Sequence, residues 1–278
     1  MRWRTPVVIL ACGGLILMLA LGIRQSFGLF LRPMSVDLGW GREAFSFAIA
    51  LQNLVWGLAM PFTGAIADRF GGGRVLIAGG LAYAGGLAAM AYSSTPLGLN
   101  LGAGLLLGLG LSCTGFGVVL AVVARAFPPE KRSVATGIAG AAGSFGQFAM
   151  LPGAQALISG LGWMNALIAM GVLAYLIVPL GAALAGRNAA EAESSQSIGA
   201  ALAEASRHSG FLLLTGSFFV CGFQTLFIMV HLPAYLVDRG LSATEGMTAL
   251  ALIGFCNIIG SYLCGAAMKM PIATARIA

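Results

Sequence analysis

The sequence predicts an all-α protein threaded repeatedly through a membrane, and three observations predict it. Hydrophobic residues make up 59% of the chain and charged residues only 9%, against roughly 25% charged in a soluble domain. Mean hydropathy is +0.93, so a water-soluble fold of this length has too few charges to cover its surface. The apolar residues also fall in runs long enough to cross a hydrocarbon core, which takes about 20 residues for about 30 Å.

Taken in order, those runs lie at 7–31, 44–66, 74–93, 97–124, 133–158, 163–186, 210–236 and 244–267, which gives eight expected spans. The first follows a basic start but continues past Leu21 with no small-residue cleavage site before Arg24, so an uncleaved helix is expected rather than a signal peptide. The fourth carries Gly102, Gly104, Gly108 and Gly110, and the fifth Gly137, Gly140, Gly143 and Gly146. Small residues at three- and four-residue spacing let helices approach where lipid supplies no hydrophobic drive, or line a narrow path. Pro61, Pro152, Pro179 and Pro233 interrupt spans and read as kinks or gates.

Charge sets the orientation. With a cytoplasmic start, Arg2, Arg4, Arg69, Arg74, Arg125, Lys131, Arg132, Arg187, Arg207, Lys269 and Arg276 fall inside, and only Arg32, Arg42 and Arg239 outside. Eleven against three places both termini in the cytoplasm. The net charge of +6 is therefore a topological bias and not a nucleic-acid footprint, because the basic residues sit at span ends and never cluster with aromatics. The five cysteines lie in apolar runs without paired spacing, so they read as small hydrophobes. No His-x-x-His metal motif, Ser/His/Asp set or phosphate loop occurs; the expectation is no enzyme, no cofactor and no metal.

The one long polar connection, 187–208, is rich in Ala, Ser and Glu. It divides the chain into a six-helix bundle at 1–186 and the start of a second bundle at 209–278. The second part restarts the first: Gly22 to Phe27 lines up with Gly222 to Phe227, Val36-Asp37 with Val237-Asp238, and Asn53 with Asn257. Such a parallel restart is the sign of a two-bundle transporter. On that pattern four further helices are expected, and an incomplete reading is expected after the aberrant tail.

The most specific motif lies between the second and third spans: Gly64, Asp68, Arg69, Gly71 and Arg74. Here the chain resembles the major facilitator superfamily, whose loop between these helices reads Gly-x-x-x-Asp-Arg-x-Gly-x-Arg/Lys. The resemblance implies a major facilitator fold of twelve helices, eight present here, with this element latching the two bundles in one state. The sequence departs from the pattern by placing Gly72 and Gly73 before Arg74, and the family's arginine in the fourth helix has no counterpart. Gly22 to Gly28, Leu38 to Trp40 with Arg42, Ala50 to Leu54, and Ala126 to Ser133 are similar to the monocarboxylate-porter and oxalate/formate-antiporter branch. That similarity implies a secondary carrier of a small organic anion in a bacterial inner membrane, coupled to a proton or a counter-anion.

Polar residues inside spans are the candidate site, since lipid penalises them. Arg24 is the one strongly basic side chain well within a span, and leaving it unpaired there costs at least roughly 2.5 kcal/mol. It faces a carboxylate substrate, snorkels to the interface, or braces the helices, and the residues alone leave all three open. Gln25, Gln52 and Asn53, then Gln147 and Gln155 in the fifth span, and Gln224 and Asn257 in the second part are the candidate hydrogen-bonding residues for substrate. Each has interhelical bonding as its ordinary alternative. His231 is the candidate for a coupled proton. Trp56 lies deep enough either to pack or to border the cavity.

Overall fold

A computed structural model describes residues 5–185 and 198–267, with the side chains of 198, 200–202, 258 and 261–267 outside the description. Arg2, Arg4, Arg187, Lys269 and Arg276, the first half of the connection 187–208 and the tail 268–278 lie outside the described residues.

The first span is two helices. α1 (Pro6–Gln25) starts on Thr5, whose hydroxyl accepts from the Val8 N–H at 3.3 Å, with Pro6 in the first turn. It ends at Ser26, and α2 (Phe27–Leu38) follows at once, closed by Gly39 in the left-handed region at φ 65°. The expected uninterrupted run at 7–31 therefore breaks one residue after Gln25, where the Ser26 hydroxyl donates back to the Gly22 carbonyl at 3.2 Å.

α3 (Arg42–Phe70) is 29 residues, about 43 Å of helix, and passes through Pro61 unbroken. It meets α4 (Gly72–Ala91) at Gly71, whose φ of 94° and ψ of 132° no β-branched residue would adopt without strain. The fourth span is composite. A short α5 (Pro96–Leu99) leads into a π-helical stretch (Asn100–Leu106), then α6 (Leu107–Thr114) and α7 (Phe116–Arg125), split at Gly115.

α8 (Pro129–Tyr175) and α9 (Ile177–Leu184) form one 56-residue run where two spans, 133–158 and 163–186, were expected. At 1.5 Å per residue a straight rod of that length would be about 84 Å, far beyond one bilayer. Gly162, at φ 78° and ψ 164°, breaks the helical backbone inside it. Contacts show that the run goes across and returns. Its start follows Arg125, which pairs with Asp68; Trp163 reaches Asp37 with its indole N–H at 2.8 Å; and a Cβ on Gly73 would lie 2.2 Å from the Ala185 Cα. Asp68 and Gly73 share one end of the bundle and Asp37 the other.

α10 (Ile198–Arg207) precedes α11 (Ser209–Asp238), and α12 (Ala243–Ala267) closes the described chain. Among the described residues six helical runs are long and apolar enough to cross a membrane, where eight were expected. Two causes account for the difference. The run through Gly162 counts once, and the helix over 244–267 carries side chains beyond the description.

Close backbone approach holds the bundle together. A Cβ on Gly22 would fall 2.6 Å from the Gly146 carbonyl oxygen, and one on Gly146 would fall 2.2 Å from that of Met18, so α1 and α8 meet main chain to main chain. The fourth-span glycines pack as expected, with Gly110 against Tyr83 and Gly104 against Leu51, whereas Gly137 of α8 faces open space. Tyr83 is fully buried and donates its hydroxyl to the Ala20 carbonyl at 2.8 Å. Outward, Phe47, Leu54, Leu58, Val172, Phe218 and Phe219 are all more than half exposed. So broad an apolar exterior suits lipid and not water.

Candidate functional site

The break at Ser26 leaves Arg24 and Gln25 in the last turn of α1, opposite Gln52 and Asn53 on α3. The Arg24 Nη2 donates to the Asn53 Oδ1 at 2.7 Å, and its guanidinium carbon stands 4.7 Å from the centre of the Trp56 ring. Asn53 is itself fixed, its Nδ2 donating to the Ile49 carbonyl at 2.7 Å. Arg24 thus reaches across to α3 and does not snorkel. A guanidinium over an indole face is attracted by the ring quadrupole, but neither Trp56 nor Asn53 neutralises the charge. Among the described residues the two ion pairs are Arg42 with Asp238 and Arg125 with Asp68, both at bundle ends.

Gln52 is 1% exposed and donates its Nε2 to the Ala103 carbonyl at 3.0 Å. Together with Gln25, Gly28, Leu226 and Met229, Arg24 and Gln52 line a narrow crevice. Three buried polar atoms around this cluster have no hydrogen-bond partner among the described residues: the Arg24 Nε, the Trp56 Nε1 and the Gln52 Oε1. The sequence brings four of its candidates together here, and Trp56 borders them.

The remaining candidates lie elsewhere. Gln155 donates to the Ser159 hydroxyl at 3.1 Å and lines a separate hollow with Arg32 and Pro233. Gln147 sits where Gly254 of α12 crosses α8. Gln224 and Asn257 are exposed, and so do not converge on Arg24 with the first group. His231 is half-buried, 4.9 Å from the Phe227 ring, and borders an open apolar hollow with Ser46 and Phe223.

The candidate latch is partly rearranged. Asp68 pairs with Arg125, the last residue of α7, a partner that sequence separation hid. Arg69 lies over the Phe70 ring at 5.4 Å, and Arg74 begins α4 from an exposed position. At Gly64 of the motif a Cβ would meet nothing within 4 Å among the described residues. The tight contacts fall at Gly72 and Gly73, where a Cβ would stand 2.2 Å from Val122 and from Ala185. The departure from the motif is thus a packing feature: basic side chains do not fit there.

At the opposite end the two parts of the chain are tied. Arg42 makes two hydrogen bonds to the Asp238 carboxylate, at 2.6 and 2.8 Å, across 196 residues. Near it a Cβ on Gly28 would lie 2.1 Å from the Met229 carbonyl oxygen, so α2 and α11 touch along their main chains. The Ser209 half of α11 is exposed, and so the parts are joined at the Asp238 end and splayed at the other. Gly39 and Gly240, at φ 65° and 88°, close α2 and α11 in the same way, a structural echo of the repeat.

Fold and site together define a multi-pass α-helical membrane protein with a guanidinium between its helices that no carboxylate pairs among the described residues. The chain belongs to the Major Facilitator Superfamily, whose family model matches residues 10–277; its members are transporters and not enzymes. It is 27% identical over 247 residues to monocarboxylate transporter 13 of Bos taurus, covering 89% of this chain and 58% of that protein. It is 28% identical over 163 residues to monocarboxylate transporter 7 of Homo sapiens, covering 59% and 31%. To the uncharacterized MFS-type transporter YcxA of Bacillus subtilis (strain 168) it is 26% identical over 247 residues, covering 87% and 60%. The chain spans about half the length of the relatives it matches.

Proposed function

We propose that the intact protein is a secondary transporter that moves a small organic anion, a carboxylate, by alternating access, as symport with a proton or exchange with a counter-anion. The observation that carries this reading is Arg24: a guanidinium turned between helices, held by the neutral partners Asn53 and Trp56, with no carboxylate beside it among the described residues. Burying such a charge is costly unless something neutralises it, and a carboxylate ligand matches its fork of donors. The similarity to proteins named monocarboxylate transporters supports the same class.

On this reading Arg24, Gln25, Gln52 and Asn53 hold substrate, with Gln147, Gln155, Gln224 and Asn257 contributing from other positions along the path. Asp68, Arg69, Gly71 and Arg74, with Gly64, form the latch, and His231 carries a coupled proton. The chain corresponds to the first eight helices of a twelve-helix arrangement: a bundle at 1–186, a cytoplasmic linker at 187–208 and the opening of a second bundle at 209–278. It sits in a bacterial inner membrane with both termini cytoplasmic, in the branch of monocarboxylate porters and oxalate/formate antiporters. The hollow beside His231, walled by Ile49, Phe223, Leu226 and Phe227, favours one rival, efflux of an apolar solute.

The test is binding of radiolabelled lactate to the purified chain in lipid nanodiscs, competed by other carboxylates and by the neutral lactamide. Carboxylates compete, lactamide does not, and R24Q removes binding. Equal competition by lactamide, or full binding in R24Q, sinks the anion reading.

A further inference from the structure

The fourth span changes its winding partway, and the change frees one carbonyl. In an α-helix the Leu107 N–H would bond the Ala103 carbonyl, four residues back. Here it reaches the Gly102 carbonyl, five back, and the Gly104 carbonyl, as the π-helical stretch Asn100–Leu106 ends. The Ala103 carbonyl accepts from the Gln52 Nε2 at 3.0 Å. Gln52, on α3 and 1% exposed, thus occupies the acceptor that the α form of this helix would use itself.

The extra residue in that turn also sets the packing. Gly102 and Gly110 both meet α4, where a Cβ on either would stand 2.9 Å from a backbone nitrogen, that of Met90 or of Tyr83. Eight residues apart, they would point about 80° apart on a regular α-helix; the wider turn absorbs one residue and brings them within about 20°. This register leaves polar groups unsatisfied. Among the described residues six buried side-chain polar atoms lack a hydrogen-bond partner, and three flank the stretch: the Gln52 Oε1, the Ser93 Oγ and the Asn100 Oδ1. Natural proteins keep few such atoms, and π turns inside helices fall mostly at working parts of a molecule.

We propose that this turn is a one-residue register switch in the fourth span, in which the Gln52 amide and the Leu107 N–H compete for the Ala103 carbonyl. With Gln52 bonded, the π register holds. When α3 carries Gln52 away, Leu107 takes the carbonyl, the turn tightens to α, and the segment from Pro96 to Gly102 rotates by about 100°. Ala103 then comes round to the place of Gly102. A Cβ there stands 2.9 Å from the Met90 nitrogen, so the Met90 end of α4 must move as well. Gln52 is a positioning residue in this scheme. It adjoins Asn53, which accepts from Arg24, so movement of Arg24 against α3 reaches the fourth span by that route. The switch does not depend on which solute is carried.

Two measurements on the full chain in lipid nanodiscs test it. Deleting Ala103 sets Gly102 and Gly110 seven residues apart, so that a regular α-helix makes the same contacts, and Tm should stay at or above that of wild type. Deleting Ala84 from the regular helix α4, where no spare residue compensates, should lower Tm or prevent folding. Equal damage from the two deletions overturns the inference. The second measurement is backbone hydrogen exchange over 97–111, followed by mass spectrometry. Q52L should quicken it about fivefold, because the carbonyl loses its clamp and the turn opens more often. In the chain lacking Ala103, Q52L should leave exchange there unchanged. An equal effect in both backgrounds means that Gln52 only packs, and no effect in wild type means that it clamps nothing; either result overturns the inference. Should Q52L not fold, the two deletions still decide. No ligand enters these measurements, so their failure is separate from failure of the carboxylate reading.

Discussion

Replacing Gly28 by Ala adds a single carbon at the seam between the two parts of the chain, and the geometry fixes what that carbon meets. Its ideal position is 2.1 Å from the Met229 carbonyl oxygen and 3.2 Å from the Met229 carbonyl carbon. Ordinary contact of such atoms begins near about 3.2 Å, so α2 and α11 must separate by about 1 Å. The obstacle is main chain and cannot rotate aside. Overpacking of this kind costs about 1–3 kcal/mol, and the helix-propensity gain of Ala over Gly, at most about 1 kcal/mol, offsets only part of it. The matched control is G64A, in a helix where a Cβ meets nothing within 4 Å, so only the propensity gain remains and stability rises by about 0.5–1 kcal/mol. Thermal unfolding of the purified chain, followed by thiol-reactive dye or intrinsic fluorescence, should therefore move in opposite directions: Tm falls in G28A and rises in G64A. A G28A protein melting at or above wild type would refute the claim that α2 and α11 meet main chain to main chain.

Three other changes test separate parts of the structure. Y83F removes the buried hydroxyl that donates to the Ala20 carbonyl and should lower stability by about 0.5–1.5 kcal/mol, read as a lower Tm with the helical circular dichroism unchanged. Since Arg42 and Asp238 form a bidentate pair between the two parts, R42D should increase proteolytic cleavage near 239–242, and the swap R42D/D238R should restore protection; a swap no better than R42D speaks against the pair. The pair of Asp68 and Arg125 is well exposed on both sides, so D68N should leave Tm within the small range of a surface ion pair, under about 1 kcal/mol. A large loss would mean the pair carries packing that its exposure does not show.

The sequence carried the parts of this molecule that lipid enforces. Long apolar runs marked α1, α3, α4 and α11, and the rarity of polar side chains inside them isolated Arg24, Gln25, Gln52 and Asn53, which the fold brings together. What stayed hidden depends on single backbone torsions or on partners far apart in the chain. Nothing in Gly22 to Gly28 distinguishes a continuous helix from one broken at Ser26, because Ser suits both and the break depends on its own bond back to Gly22. The turn itself was legible, since the expected spans 133–158 and 163–186 divide there, but only the torsion of φ 78° picks out Gly162 among 41 glycines as the residue that makes it. Asp68 and Arg125 are 57 residues apart, beyond any local spacing rule. Asn257 matched Asn53 in the repeat and Gln224 stands where Arg24 does, yet both are exposed.

Whether Arg24 is open to a carboxylate ligand can be measured directly. Phenylglyoxal, which modifies guanidinium groups, applied to the chain in nanodiscs and followed by peptide mapping, measures that at one residue. Modification of Arg24 should occur in buffer and be suppressed by lactate but not by lactamide, while Arg32 and Arg239 at the bundle end react equally in all three conditions. An Arg24 that never reacts, or that reacts to the same extent with lactate present, would contradict the claim that this charge is held between the helices for an anion.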